Sequence, residues 1–302
     1  MHVIGTNYRP ILKTRKNKKQ LPLIGRLKKT IDVDAVKEQI LHLLHENENK
    51  LDLELDPSAT EHTYNLKNKS GEYFVKNYDD VYKKYSTIGF QELSFEAKSL
   101  AASMSSNVSD FSPVQRLKGM TDTSSKYYHP HYDERNYTQP TEYCTGYINE
   151  FLHSFKSTSC RSAVVALHPS RFLTKHFDIG AEYVTRLQIP IVTNQQAVIG
   201  VKTENGWNEY HLPADGSIFF INAGYEHYAI NAGNEVRYQV RVCLQSQEDL
   251  EGIEDYTPSN FISDEDFVSH PCYGGSQNEF VNIAKQAANE FNLKQSGKAS
   301  FE

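Results

Sequence analysis

Four cysteines in 302 residues, none in C-x-x-C spacing, are too few and too scattered for a disulfide framework or a zinc knuckle. Cys144, Cys160, Cys243 and Cys272 therefore read as thiols of a reducing compartment, and a cytoplasmic location is expected. No stretch approaches the ~18 consecutive apolar residues of a membrane span, and the first residues lack the apolar segment of a secretory signal, so no membrane partner is expected. The single tryptophan, Trp207, reads as packing or a hairpin edge rather than a platform for substrate. Acidic residues are missing from the first 31 positions, whereas nine basic residues fall between Arg9 and Lys29. The net charge of −6 thus conceals a basic N-terminal arm, residues 1–30, ahead of a chain that carries about −15. Such an arm can contact nucleic acid or an acidic partner, although a solvated loop is the commoner outcome for a run of this kind.

With 38% apolar and 23% charged residues, the chain has the composition of a globular protein long enough to bury a full core. From about Ser162 it runs as short β segments broken by turns, the rhythm of an all-β barrel or sandwich. SAVVAL, YVTRLQIPIV, AVIGVKT, WNEYHL, the apolar run Ser217 to Asn222 and VRYQVRVCL are the strands, with turns at Asp215 and Gly216 and again at Gly224. His227 falls just past a strand end. On the last strand Arg237, Gln239 and Arg241 share one face, while Val236, Tyr238, Val240 and Val242 share the other. A polar face with two arginines suits a barrel interior that binds an anion.

Within this region lie His176, Phe177 and Asp178, followed by His227 and, ten residues on, Arg237. Two imidazoles and one carboxylate can hold Fe(II) on one side and leave its other positions open. An arginine nearby can grip a carboxylate cosubstrate through a bidentate pair of charge-assisted hydrogen bonds. H-x-D is a weak signal alone, since chance supplies roughly 0.6 copies in a chain of this composition. A second copy, His131, Tyr132 and Asp133, has its own downstream partners in His176 and Arg186. Context separates the two: ERNYTQPTEYCTGYINEF, after Asp133, reads as a loop and a helix, with no barrel for that set to line.

The runs HFDIGAEYVTRLQIPIV and PADGSIFFINAGYEHYAINAGNEVRYQVRV resemble the aspartyl/asparaginyl β-hydroxylase family of Fe(II)/2-oxoglutarate-dependent dioxygenases, which also includes hydroxylases of free proline. The resemblance covers residues 160–246. It implies an α+β protein whose core is a double-stranded β-helix (jelly-roll or cupin-like) with supporting helices. It further implies iron ligands His176, Asp178 and His227, with Arg237 on the far carboxylate of 2-oxoglutarate. Arg186 and Gln188 correspond to cosubstrate-binding positions, but the family usually has a histidine where Gln188 stands. Asp178 matches the free amino acid hydroxylases, whereas some aspartyl/asparaginyl members lack this carboxylate. The implied reaction uses Fe(II), 2-oxoglutarate and O2 to hydroxylate a C–H bond of an amino acid or peptidyl side chain, releasing succinate and CO2. Arg241 stays open as a second candidate for the cosubstrate anchor.

Ahead of the core, residues 31–158 read as an α/β supporting and substrate-facing region. Val33, Val36, Ile40, Leu43 and Leu44 fall on one helical face, with Asp32 or Asp34 placed to cap its start. Phe95 to Met104 and TEYCTGYINEFLHSF predict further helices. Between them the Tyr/His-rich stretch 126–137 reads as an irregular surface loop or a lid over the iron. The core spans 159–247. Residues 248–302 are expected to be a long acidic loop and a helix presenting Phe280, Ile283, Ala287 and Phe291 on one side. The competing functional classes are a non-oxygenase cupin-type module binding a metal or small molecule, and an interaction protein acting through its basic arm.

Overall fold

The computed structural model describes residues 16, 18–46, 87–104, 125–167 and 171–273. The expected C-terminal helix and most of the basic arm lie outside the described residues. Among the described residues, fourteen strands form two large antiparallel sheets and a small one that pairs β3 (Gln91–Glu92) with β4 (Gln139–Pro140). Eight of them, taken in chain order, build the core: β5 (Ser159–Leu167), β6 (Arg171–His176), β7 (Thr185–Val192), β8 (Ala197–Lys202), β9 (Gly206–His211), β10 (Ser217–Ile221), β11 (His227–Asn231) and β12 (Arg237–Leu244). One sheet carries β10, β7, β12 and β5 side by side, and the other carries β9, β8, β11 and β6. The chain therefore crosses repeatedly between two facing sheets, its first core strand beside its last and its second beside its seventh. That order is a double-stranded β-helix, or jelly roll.

The larger sheet is extended by β1 (Ile24–Thr30) and β13 (Glu254–Asp255) at one edge and by β2 (Thr87–Gly89) at the other. β1 pairs antiparallel with β10, Ile24 opposite Ile221. Residues 24–30 are thus a strand of the sheet rather than part of a free arm. The reason is their pattern, since Ile24 and Leu27 are buried while Arg26 and Lys28 point to solvent.

Alternation along the strands makes two cores. Leu187, Ile189 and Ile191 of β7 and Val240 and Val242 of β12 pack outward against α1 (Val33–Glu46) and α3 (Gly146–His153), meeting Val36, Ile40, Ile148 and Phe151. Between the sheets lie Ile24, Ile199, Val201, Tyr210, Phe219 and Ile221. β10 serves both, Ile218 and Phe220 outward and Phe219 and Ile221 inward, which is why it reads as an unbroken apolar run. Helix α1 starts as expected, with Asp32 Oδ1 accepting from the Ala35 N–H at 3.1 Å. The second helix, α2 (Phe95–Ser103), is capped by Ser94. On the inner face of β12 sit Arg237, Gln239 and Arg241, flanked by Ala163 and Val165 of β5 and by Gln188 of β7.

The acidic segment after the core is not a loop. Its residues form β13, the strand β14 (Asn260–Ser263) paired with β9, and the short helix α4 (Asp264–Phe267). Phe267 and Cys272 close over Trp207 and Tyr228 on the outside of the smaller sheet. Trp207 is 1% exposed and stacks on Phe267 at 4.2 Å, a packing role. Among the described residues, no helix is long and apolar enough to cross a membrane. All four cysteines are buried and unbridged.

Candidate metal centre

His176 ends β6 and His227 begins β11, and the two are direct partners across that strand pair. Their rings stand 4.3 Å apart, centroid to centroid. His227 is therefore the first residue of a strand rather than the tail of a turn. Asp178 follows two residues after His176, its backbone N–H donating to the Ala223 carbonyl at 3.0 Å, which ties the ligand loop to the turn after β10. The potential ligand atoms of His176, Asp178 and His227 all lie within 4.8 Å of one another, and no other such cluster occurs among the described residues.

Both imidazoles are already oriented. His176 Nδ1 lies 2.7 Å from the Thr174 carbonyl and His227 Nδ1 lies 2.9 Å from the Tyr225 carbonyl. A carbonyl only accepts, so in each ring Nδ1 must be the protonated nitrogen and Nε2 keeps its lone pair for a metal. Burial, reinforced by the neighbouring His176, pushes the His227 imidazole from its ordinary 6.5 down to about 4. It is therefore neutral near pH 7, the state a ligand needs. Asp178 behaves oppositely. Burial alone would raise its pKa, but the Arg186 guanidinium beside it, aided by both histidines, holds the carboxyl well below the usual carboxylate range.

Arg186 does this as the middle of a charge chain. Its Nε is 3.2 Å from Asp178 Oδ2, its Nη2 donates to Glu134 Oε1 at 2.8 Å, and its Nη1 donates to the Ile179 carbonyl at 3.0 Å. Glu134, only 4% exposed, belongs to the 3-10 turn Glu134–Asn136 within the Tyr/His-rich stretch. Asp133 caps that turn, takes both Nε and Nη2 of Arg135, and accepts from the Tyr183 hydroxyl at 2.8 Å. The stretch is accordingly buried scaffold in which His129, Asp133, Glu134, Arg135 and Asn136 are all covered, not a surface loop. The competing H-x-D set does not assemble: Asp133 is spent on Arg135 and Tyr183, and His131 stacks on His129. Sequence reasoning missed Glu134, Arg135 and Tyr183 as supports for the site. Dense charge in DERN read as solvated because the partners that bury it, Tyr183 and Arg186, lie about fifty residues away.

Arg237 has a different environment. It is 2% exposed on the inner face of β12, and Gln188 Oε1 lies 3.5 Å from its Nη2. Among the described residues its buried Nε has no acceptor. Burial lowers its pKa to about 10, which leaves it cationic at neutral pH. A buried guanidinium without a carboxylate costs several kcal/mol unless an anion comes to it. The sequence-derived residues thus divide in three: His176, Asp178 and His227 converge, Arg186 is bound to Asp178 and Glu134, and Arg237 with Gln188 sits apart with no acid beside it among the described residues.

No family model and no curated protein matches this sequence. Solved structures similar to part of it include a 2OG-Fe(II) oxygenase-family oxidoreductase from Burkholderia pseudomallei, 14% identical over 32% of this chain and 50% of that one, with a TM-score of 0.26. Vicilin from tomato, Solanum lycopersicum, is 21% identical over 32% of this chain and 25% of its own, with a TM-score of 0.22. A point mutant of oxalate decarboxylase from Bacillus subtilis is 16% identical over 36% of this chain and 25% of its own, with a TM-score of 0.23. The matched part spans between a quarter and a half of the length of these proteins. At such scores the strand order, not the likeness, defines the fold.

Proposed function

We propose that this protein is an Fe(II)- and 2-oxoglutarate-dependent dioxygenase that hydroxylates a C–H bond of an amino acid or peptidyl side chain. The observation that carries the reading is Arg237, a buried guanidinium with no acidic partner among the described residues, inside the same jelly roll as the converging His176, Asp178 and His227. Neutral nitrogen donors with one carboxylate suit a divalent iron and leave it Lewis acidic. The orphan cation suits the distal carboxylate of a 2-oxo diacid. The residues present therefore fit both groups.

His176, Asp178 and His227 would hold the iron and Arg237 the cosubstrate, and together with O2 these would supply the oxidising power for hydroxylation with release of succinate and CO2. The protein's own share is binding and orientation. His176 and His227 present Nε2, each ring fixed through its Nδ1–H. Asp178 is kept ionised by Arg186, and Arg186 is kept in place by Glu134. Arg237 sets the direction in which the cosubstrate lies, and Gln188 steadies the guanidinium. The resemblance of residues 160–246 to the aspartyl/asparaginyl β-hydroxylases supports the same assignment. A cytoplasmic location, no membrane partner, and a basic arm that is more often a solvated loop than a nucleic-acid contact belong to this reading as expectations.

The test is anaerobic addition of Fe(II) and 2-oxoglutarate to the purified protein, following the weak visible charge-transfer band of an iron-bound 2-oxo acid. Wild type and His131→Ala should develop the band, His176→Ala should not, and Arg237→Ala should need much more 2-oxoglutarate. Iron binding without a band in wild type would instead establish a metal-binding module that is not an oxygenase.

A further inference from the structure

Two of the four scattered cysteines meet in the fold. Cys243 of β12 is the direct cross-strand partner of Cys160 of β5, and both belong to one buried cluster with Tyr183 and Val184. Neither is more than 1% exposed. Directly opposed residues of an antiparallel pair have Cα atoms about 4.5–5.5 Å apart and side chains on the same face. A disulfide needs roughly 4.4–6.8 Å between its Cα atoms, so the two positions can be bridged without moving either strand.

A local irregularity makes the pair. Arg241 lies opposite Ala163, so an unbroken ladder would set Cys243 opposite Arg161. β5 carries an extra residue at this point, and Arg161, with a left-handed φ of 47°, gives way to Cys160. A residue with a side chain holds such a backbone only where its surroundings enforce it. Here they do: the Arg161 N–H donates to the Tyr137 carbonyl and the Phe90 N–H to the Ser162 carbonyl, each at 2.8 Å. The Gln91 side chain clasps both ends of the bulge, donating to the Ser159 carbonyl and accepting from the Ser162 N–H, each at 3.0 Å.

We propose that Cys160 and Cys243 are a disulfide-forming pair, oxidised by hydrogen peroxide, whose cross-link staples the first core strand to the last. Cys243 reacts first. Burial raises both thiols, but Arg241, Arg186 and Arg161 favour the Cys243 thiolate against Glu134, whereas for Cys160 Arg186 works against Cys243, Glu134 and Asp133 together. The Cys243 thiolate attacks one peroxide oxygen, the O–O bond breaks, and the departing hydroxide takes a proton to leave as water. Cys243 is then a sulfenic acid. The Cys160 sulfur displaces its oxygen, forming the S–S bond and releasing a second water. Two thiols have lost two electrons and two protons, and the peroxide has become two waters. Hydrogen peroxide is small and uncharged, which suits it to sulfurs that solvent does not reach. The closed loop is about eighty residues long and contains all of β6 to β11, and a loop of that length restricts the unfolded chain strongly. In a reducing compartment such a pair rests as thiols and closes only under oxidative load.

The experiment treats the full-length protein with hydrogen peroxide under native conditions, with a metal chelator present so that iron does not decompose the reagent. Remaining thiols are alkylated in denaturant, peptides are mapped by mass spectrometry, and urea midpoints are measured before and after. A Cys160–Cys243 peptide should appear, while Cys144 and Cys272, buried in separate clusters, stay out of the cross-link. The urea midpoint should rise by roughly 1 M, and dithiothreitol should reverse both changes. Cys160→Ser should stop the reaction at a Cys243 sulfenic acid, trapped by dimedone. A Cys243 sulfinic acid with no cross-linked peptide, a bond from either sulfur to Cys144 or Cys272, or a cross-link that forms only in urea overturns the proposal. So does a midpoint that fails to rise once the bond has formed, or a Cys160→Ser protein that folds and takes no dimedone at Cys243. The decisive peptide is read in wild type, so the test stands even if the serine variant does not fold.

Discussion

Single side chains decide how much of this site is fixed before any metal arrives. Glu134 never approaches the ligand cluster directly, yet it takes one end of the guanidinium whose other end lies on Asp178. Glu134→Gln removes the charge that draws Arg186 away, so Arg186 should settle on Asp178 and compete with a metal for the carboxylate oxygens. Fe(II) affinity, measured by anaerobic calorimetry, should fall roughly 10- to 100-fold, the usual cost of losing an outer partner of a ligand. Glu134→Asp, which keeps the charge, should recover part of it. Arg237→Lys should also not be silent. A single ammonium cannot reproduce the planar fork, so the 2-oxoglutarate needed for half-maximal band formation should rise at least tenfold while iron binding holds.

Among the elements, β11 brings His227 into place and was the hardest to read. HYAIN has no clean alternation, and its neighbour β6, RFLTKH, mixes charge with two apolar residues, so neither announces a strand. Their pairing supplies what the sequence does not display. Tyr228 on β11 lies opposite Gly200 on β8, and a Cβ on Gly200 would fall 2.1 Å from the Tyr228 ring. The glycine is the space that the ring occupies. Gly200→Ala should therefore destabilise the protein by about 1–3 kcal/mol, seen as a lower urea midpoint, because Tyr228 is fully buried and held to Glu209 at 2.8 Å. Phe267→Ala, which opens the cap over the same ring, should cost about 3–5 kcal/mol. By contrast β7, β8, β10 and β12 were legible because their apolar residues repeat with period two or run unbroken, and α1 because Val36 and Ile40 share its buried face. The meeting of His176, Asp178 and His227 was legible from their order within a run of strands, since spacing alone admitted His131 and Asp133 equally. The support around Glu134 was not, since side chains about fifty residues apart made it.

At the scale of the whole molecule, the ligand cluster makes stability depend on acid. His227 has a folded pKa of about 4 against an ordinary 6.5, so the unfolded chain binds the extra proton first as pH falls. The stability tied to the neutral ring is therefore complete above pH 6.5 and is lost as pH falls toward 4, with Asp178 adding a further loss below the ordinary carboxylate range. Metal-free protein should lose about 2 kcal/mol between pH 7.5 and pH 5 from His227 alone. Urea midpoints at the two pH values check this, and His227→Gln should flatten the difference. The pairing of β1 with β10 carries a consequence in time rather than in energy. The two strands are separated by about 200 residues of chain, which a ribosome adds in roughly 10–40 s. Throughout that interval β1 lacks the partner β10, which comes only after the turn at Gly216. The chain is therefore born with β1 waiting, exposed to any other edge it meets, and chaperone capture of nascent chains should be heavier before that turn appears than after it.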